Sequence, residues 1–272
     1  MAYQTTFKRY ELKYLMTREQ KEKILHVMEL YMKLDQYQRT TIRNIYYDTD
    51  NFRLIRRSLE KPVYKEKLRV RSYRKAGVND PVFVELKKKY KSVVYKRRLT
   101  LPNEQVMKCL NEGVHLPKES QIADEIFYFC KYYENLHPAM FLSYEREAYY
   151  SLDGSDFRVT FDENILYREE ALSLTEEAYG TSIINPDQTL MEIKTSGGLP
   201  LWMTKVLSEE GILKTSFSKY GRAYQMHLLE NADAQIVSMV PEKEGRREVK
   251  ESESRLNTRE ENIERRDQNL QK

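Results

Sequence analysis

Residues 64–73 have the sequence Tyr-Lys-Glu-Lys-Leu-Arg-Val-Arg-Ser-Tyr, which is a β-strand pattern with two unlike faces. Side chains alternate across a strand, which places every cation on one side and the apolar residues on the other. The cations are Lys65, Lys67, Arg69 and Arg71, and the apolar residues are Leu68 and Val70. A single run of this kind is also typical of an exposed edge strand, where charges prevent aggregation. Recurrence of the pattern in other strands favours a shared cationic interior instead.

Several other strand patterns repeat this division into a charged and an apolar face. The residues that align on charged faces are Arg9, Glu11 and Lys13 in residues 7–14; Glu85, Lys87 and Lys89 in 82–89; Lys96 and Arg98 in 93–101; Arg146 in 140–151; Arg158 and Asp162 in 156–162; and Glu192 and Lys194 in 190–195. Short turns separate the three patterns between residues 64 and 101, which predicts an antiparallel meander.

Composition limits the function classes that fit the chain. The 272 residues are 40 % hydrophobic, which is enough for a packed core. They are 32 % charged with a formal net charge of only +4, so a polyanion site must come from clustered charge. Neither GxGxxG nor a GxxxxGK phosphate loop occurs. We expect a cytoplasmic protein, because the sequence shows no signal-peptide pattern and no run of about 18 apolar residues.

Helical patterns separate and follow the predicted strands. Thr17 and Gln20 fit a capping box for a helix whose apolar spacing extends to Leu34. Further helices are predicted at residues 52–59, 102–112, 120–136, 201–210 and 216–231. Residues 163–188 are predicted to be irregular. We expect one domain over residues 1–235 and a charged, mobile tail over residues 236–272, which have no apolar periodicity.

The edges of about eight such strands need protection, and closure into a barrel removes them completely. The apolar faces would then pack against the helices, and the charged faces would line a hydrated tunnel. Burying so many like charges without a counter-anion is prohibitively unfavourable. The sequence therefore predicts an α+β fold with an eight-stranded antiparallel β-barrel tunnel, flanked by helices, that binds a polyanion.

Eight short motifs across residues 6–229 carry a family resemblance, in the family's order. They are Glu11-Leu12-Lys13, Tyr46-Tyr47-Asp48-Thr49, Lys67-Leu68-Arg69-Val70-Arg71, Val84-Glu85-Leu86-Lys87, Tyr144-Glu145-Arg146, Phe157-Arg158-Val159-Thr160-Phe161-Asp162, Leu190-Met191-Glu192-Ile193-Lys194 and Ser218-Lys219-Tyr220. Each motif is weak alone, and together they are specific. The sequence resembles the VTC (vacuolar transporter chaperone) catalytic domain. This domain is the polyphosphate polymerase branch of the triphosphate tunnel metalloenzymes, also called the CYTH-like superfamily.

The resemblance implies transfer of the ATP γ-phosphoryl group to a growing polyphosphate chain, with Mn²⁺ or Mg²⁺ as cofactor. ATP and polyphosphate, or another triphosphate, are the implied partners, and no nucleic acid is expected. Phosphate binding is implied for Lys13, Lys67, Arg69, Arg71, Lys87, Lys96, Arg98, Arg146, Arg158, Lys194 and Lys219. The implied catalytic residues are Lys13, Arg69, Arg71, Arg146, Arg158 and Glu192. Glu192 is the implied metal ligand; Glu11 and Glu85 are further metal candidates, for which a structural salt bridge fits equally well.

One departure from the superfamily pattern bears on the reaction. Tunnel triphosphatases open with ExExK, whereas Arg9 stands here in place of the first carboxylate, which fits the VTC branch better. The family's membrane-spanning region has no counterpart in the sequence, so no transmembrane segment is expected. One alternative function is that of a tunnel-fold inorganic or organic triphosphatase. The other is a non-catalytic module that binds polyphosphate or nucleic acid, although carboxylates beside the cations would repel a nucleic-acid backbone.

Overall fold

The computed structural model describes residues 10–91 and 93–239, with side chains up to Asn231. These residues form strands and helices in the order that follows. The strands are β1 (Tyr10–Thr17), β2 (Met32–Asp48), β3 (Tyr64–Ser72), β4 (Pro81–Tyr90), β5 (Val93–Pro102), β6 (His137–Ser151), β7 (Arg158–Arg168), β8 (Thr181–Ser182), β9 (Gln188–Thr195) and β10 (Lys214–Thr215). The helices are α1 (Arg18–Met28), α2 (Arg53–Leu59), α3 (Asn103–Glu112), α4 (Gln121–Tyr133), α5 (Leu201–Glu209) and α6 (Lys219–Met239).

All strands belong to one antiparallel sheet with the order β10-β1-β9-β7-β6-β2-β3-β4-β5, and β8 pairs with β7. The predicted meander is the run from β3 to β5, and β2 pairs with β3 beside it. Since β8 and β10 contribute two residues each, the eight longer strands match the predicted number. In the part of the chain that the structure describes, no ladder joins the two ends of the sheet, so it differs from a fully hydrogen-bonded barrel.

The sheet is strongly curled, because side chains from distant strands meet. Lys87 of β4 and Glu11 of β1 approach to 4.0 Å between Nζ and Oε2, although five strands lie between them in the sheet order. In a flat sheet, strands so far apart would be separated by about 28 Å. The predicted class is therefore confirmed: the fold is α+β, with a curled antiparallel sheet and flanking helices.

Two apolar cores lie on the outer surface of the curled sheet. One joins the outward faces of β3 and β4, including Leu68 and Val84, to α3 and α4. The other joins β7 and β9 to α1 and α5, with Val159 and Ile193 among its buried residues. The apolar strand faces thus pack against helices, as predicted, and this leaves the charged faces for the interior.

The structure corrects two predicted elements. The Thr17 capping box is present, but the helix ends at Met28 and not at Leu34. From Met32 onward the chain pairs with β6 as the start of β2, because cross-strand pairing overrides the helical spacing. Residues 163–188 are not wholly irregular, since β7 continues to Arg168 and β8 pairs with it.

Residues up to Tyr224 form one compact unit, and residues from Gln225 belong to a second. The described residues of the second unit, 225–239, continue as helix. The predicted boundary at residue 235 falls in α6 and stays a prediction. Most of the predicted tail, residues 240–272, lies outside the described residues, as does Arg9.

Candidate active site

A buried carboxylate gathers four of the predicted cations on one wall of the tunnel. Glu85 lies opposite Arg69 in the β3–β4 register and opposite Arg98 in the β4–β5 register, so all three side chains share one face. Its oxygens lie 2.7 Å from both Arg69 Nη2 and Lys96 Nζ, 2.8 Å from Arg98 Nε and 4.0 Å from Arg71 Nε. Burial opposes ionisation of Glu85, but the charges of Arg69, Arg71 and Lys96 outweigh it and hold its pKa far below the usual range.

A second cluster lies on the opposite wall and contains Asp162 and Glu192. Arg146 makes a bidentate pair with Asp162, at 2.5 Å and 2.6 Å, and its Nη2 lies 3.3 Å from Glu192 Oε2. Lys219 Nζ contacts both carboxylates, at 2.5 Å and 3.0 Å. Burial would raise the pKa of Glu192, yet the charges of Lys219, Arg146 and Lys13 keep it well below its ordinary value. Glu192 is thus ionised beside buried cations, and Asp162 contacts two of the same cations, Arg146 and Lys219.

Two further lysines face the interior without an ion pair to any described residue. Lys67 Nζ donates to Ser218 Oγ at 3.1 Å, and Lys194 lies opposite Glu11 in the β1–β9 register. Burial, together with the charges of nearby lysines, lowers the pKa of Lys67 to about 7. Burial also lowers the pKa of Lys194, to about 8, although the Glu192 charge opposes the shift. Burial in the tunnel therefore disfavours the protonated form of both lysines.

Residues 217–220 cross the tunnel interior and connect its walls; we call them the crossing segment. Lys13 of β1 donates to the Phe217 carbonyl at 2.9 Å, and Lys67 of β3 donates to Ser218. Tyr220 stacks on Tyr46 of β2 with ring centroids 4.4 Å apart. These contacts place Lys219 at the second cluster, where the sequence motif predicted a phosphate-binding lysine.

A buried carboxylate anchors the crossing segment to the sheet. Asp48, at the end of β2, accepts from the backbone N–H groups of Thr49, Leu54 and Ile55. Tyr220 Oη donates to the same carboxylate at 2.9 Å. One side chain thus satisfies two N-terminal amides of α2, those of Leu54 and Ile55, and fixes the start of α6. The position of Lys219, one residue earlier, depends on this anchor.

Other predicted residues lie nearer the tunnel mouth. Lys87 is half-exposed and meets Glu11, as described for the curl of the sheet. Arg158 lies opposite Lys194 in the register but is exposed, and the structure does not bring it into either cluster. Lys96 is also half-exposed, although it pairs with Glu85. The other predicted cations line the interior.

Sequence reasoning assigned no role to the polar groups that hold the arginines. Tyr46 Oη accepts from Arg69 Nη1 at 3.0 Å, and Tyr144 Oη accepts from Arg71 Nη2 at 3.0 Å. Asn44 Oδ1 accepts from Arg71 Nε at 2.8 Å. The alternation of residues 41–48 places Asn44 and Tyr46 on one face, so the period-two pattern was the signal that would have found them.

The carboxylates of the site differ in how well they could bind a divalent metal ion. Lys13 Nζ lies 3.2 Å from Glu11 Oε1 and 3.6 Å from Glu192 Oε1, so these two carboxylates face one common cation position. Their oxygens suit Mg²⁺ or Mn²⁺, which proteins often hold through one or two carboxylates plus substrate phosphates. Both oxygens of Glu85 already contact cations, so the structural salt bridge is its better interpretation. Among the described residues, no group of three or more acidic, histidine or cysteine side chains could hold a metal.

Solved structures with similar folds come from distant organisms. An adenylyl cyclase candidate from Hippeastrum, for which a dominant triphosphatase activity is described, is 17 % identical, with a TM-score of 0.48. The alignment covers 79 % of this chain and 96 % of that one. A candidate adenylate cyclase from Bacillus halodurans is 15 % identical, with a TM-score of 0.47. That alignment covers 76 % of this chain and 92 % of the other. At these levels of similarity no residue role is transferred from either protein.

Comparison of the sequence with known protein families identifies the family of the chain. No curated protein matches the chain. Not one helix among the described residues has both the length and the apolar content that a membrane crossing requires. The sequence model of the VTC domain matches residues 8–228, which include both ion-pair clusters and the crossing segment. The chain belongs to the VTC domain family.

Proposed function

We propose that this protein is a polyphosphate polymerase that transfers the ATP γ-phosphoryl group to a growing polyphosphate chain inside the tunnel. The observation that carries the proposal is the convergence of cations on the interior, where Lys67 and Lys194 face inward without an ion pair to any described residue. Burial, the largest effect, and the charges of neighbouring cations lower the pKa of both lysines. A phosphate chain would neutralise both lysines, and burial would then strengthen the attraction. Tunnel cations that repel one another suit a polyanionic ligand.

The two arginine-bearing walls are proposed to grip the phosphates. Tyr46, Asn44 and Tyr144 hold the guanidinium groups of Arg69 and Arg71 in fixed orientations. Guanidinium groups fixed in this way can bind phosphate oxygens bidentately without reorganising during the reaction. On the opposite wall, Arg146 and Lys219 would stabilise the charge that develops on the transferring group. A divalent ion held by Glu192, with Glu11, would neutralise part of the triphosphate charge.

The polymerase reaction is favoured over hydrolysis by the balance of charge. Arg9 replaces a carboxylate that tunnel triphosphatases have, and cations line both walls of the interior. Such a surface would retain a long anionic product and disfavour water as the nucleophile. ATP, the proposed donor, is abundant in the cytoplasm, which fits the compartment expected from the sequence.

ATP with Mn²⁺ is expected to give a ladder of polyphosphate on a gel, with ADP released in step. Release of orthophosphate from tripolyphosphate should be slower than ADP release. Rapid orthophosphate release without any chain longer than the substrate would replace the proposal with a triphosphatase. Tight binding of tripolyphosphate without turnover would identify a non-catalytic binding module instead.

Tripolyphosphate binding is expected to weaken as the pH rises from 7 to 9. Bound phosphate favours protonated Lys67 and Lys194, whereas the free protein loses these protons above pH values of about 7 and about 8. Binding at pH 8 should therefore take up protons, which calorimetry in buffers of different ionisation enthalpy measures. In Lys67→Arg the uptake should decrease, because arginine stays charged. Equal proton uptake in wild type and variant would contradict the role of Lys67.

We further propose that residues 1–235 carry the activity. Ending the chain at Val240 is expected to leave the rate of ADP release within about twofold of wild type, because all proposed site residues lie between Glu11 and Lys219. Circular dichroism would verify that the shortened chain is folded. Loss of turnover in a folded, shortened protein would show that the tail contributes to the site.

A further inference from the structure

Three polar side chains form a row on the outer face of the sheet, away from the tunnel. Arg43 of β2 lies opposite Ser72 of β3 on one side and opposite Ser143 of β6 on the other. Because paired residues share a face, all three side chains point the same way. They are 7 %, 2 % and 1 % exposed, respectively. The row is therefore buried. It lies on the same outer face of the sheet as the apolar core residues Ile45 and Phe141.

Each of these three side chains has one buried polar atom that the described part of the protein does not satisfy. Arg43 Nε, Ser72 Oγ and Ser143 Oγ are buried without a hydrogen-bond partner there. The acid whose charge acts on Arg43 is Glu177, but its side chain is 71 % exposed and lies 2.6 Å from Lys75 Nζ. Buried polar groups are normally satisfied, and a buried charge without a partner is unfavourable.

A second buried guanidinium increases the local positive charge. Arg168 of β7 stacks on Phe141 at 3.6 Å. Burial lowers the pKa of Arg168, the charges of Tyr179, Glu176 and Glu170 oppose this shift, and the charge of Arg43 adds to it. Its N–H groups donate to the backbone carbonyls of Glu170, Ala171, Glu177 and Tyr179. Arg168 thus holds the connection between β7 and β8 in place through backbone carbonyls. It brings a positive charge to this region and does not neutralise Arg43.

We propose that Arg43, Ser72 and Ser143 bind a small inorganic anion such as chloride, at a buried site separate from the tunnel. The guanidinium Nε–H and two hydroxyls supply three donors from three adjacent strands. Water would satisfy the hydroxyls but would leave the arginine charge uncompensated. An anion would accept from the hydroxyls and would also neutralise the arginine charge. It would link β3, β2 and β6 on the outer side of the wall that carries Arg71 and Tyr144. This inference does not depend on the proposed polymerase activity.

Crystals grown in sodium bromide test the site directly. The expected result is an anomalous-scattering peak in contact with Arg43 Nε and both serine hydroxyls. A water at this position without anomalous signal would overturn the proposal. So would a Glu177 carboxylate turned inward onto Arg43.

Melting temperatures in chloride and in gluconate, at equal ionic strength, supply a second test. The wild-type protein should melt on the order of 2–4 °C higher in chloride. The double variant Ser72→Ala/Ser143→Ala should lose most of this difference, whereas Ser196→Ala, at an exposed serine, should keep it. Chloride that binds in the tunnel would raise the melting temperature of all three proteins equally, so it does not affect the comparison between them. If the double variant keeps the full chloride effect, the site does not exist.

Discussion

Replacing Glu192 with glutamine is expected to lower metal-dependent turnover by on the order of 100-fold or more. The amide nearly matches the carboxylate in size but is a much poorer ligand for a hard divalent ion. Folding should survive, because Asp162 continues to neutralise Arg146 and Lys219, which both contact it directly. ADP release across a Mn²⁺ titration measures the effect on turnover. Binding of Mn²⁺ to the protein, followed by electron paramagnetic resonance, measures the site without requiring activity.

Glu163→Gln is the matched control for this substitution. Glu163 is also a buried carboxylate, but it lies outside the tunnel, where it accepts hydrogen bonds from Lys21, Arg39 and Thr189. Burial opposes its ionisation, but these partners lower its pKa to about 2. Glu163→Gln should reduce stability while preserving turnover and Mn²⁺ binding. Full activity of Glu192→Gln at every Mn²⁺ concentration would show that Glu192 does not bind the metal.

Replacing Arg69 with alanine is expected to raise the dissociation constant of tripolyphosphate by on the order of 100-fold. The guanidinium is oriented by Tyr46 and Glu85, so the protein has already fixed the geometry that a phosphate would use. The fold should be retained, because Lys96 and Arg98 still neutralise Glu85. Isothermal titration calorimetry at fixed pH and salt measures the affinity, and a thermal melt without ligand checks the fold.

Arg97→Ala separates this effect from a general loss of positive charge. Arg97 precedes Arg98 on β5 but points outward, where its Nε lies 3.1 Å from Glu125 Oε2 of α4. We expect its removal to leave tripolyphosphate affinity within about twofold of wild type, since it never faces the interior. Similar losses of affinity in both variants would mean that Arg69 acts only through the overall field of the protein.

The sequence was sufficient to assign the two faces of most strands. In β3, alternation separates Arg69 and Arg71 from Leu68 and Val70, and a period of two leaves only one choice of inward face. The same reasoning placed Glu192 inside the tunnel. These assignments depend on local pattern alone, which is why they transferred directly to the structure.

Contacts between strands could not be predicted in the same way. Glu85 gathers four cations because the β3–β4 and β4–β5 registers align Arg69, Glu85 and Arg98, and register depends on the turns between strands. The crossing segment contacts strands that are far apart in the sequence, so no local pattern indicates it. Arg158 has the inward parity but lies at the first residue of β7, where the interior opens to solvent.

The position of β1 in the sheet has a consequence for synthesis of the chain. This strand pairs only with β9 and β10 among the described strands, so the ribosome must complete most of the domain before either partner exists. At typical translation rates, the interval is on the order of ten seconds or more. During that time, the apolar residues Tyr14 and Met16 have no native strand beside them, whereas β2 to β5 can pair as they emerge. We therefore expect the nascent protein to form its β2–β5 strands early and to add its N-terminal strand last, which gives chaperones their longest opportunity to bind at residues 10–17.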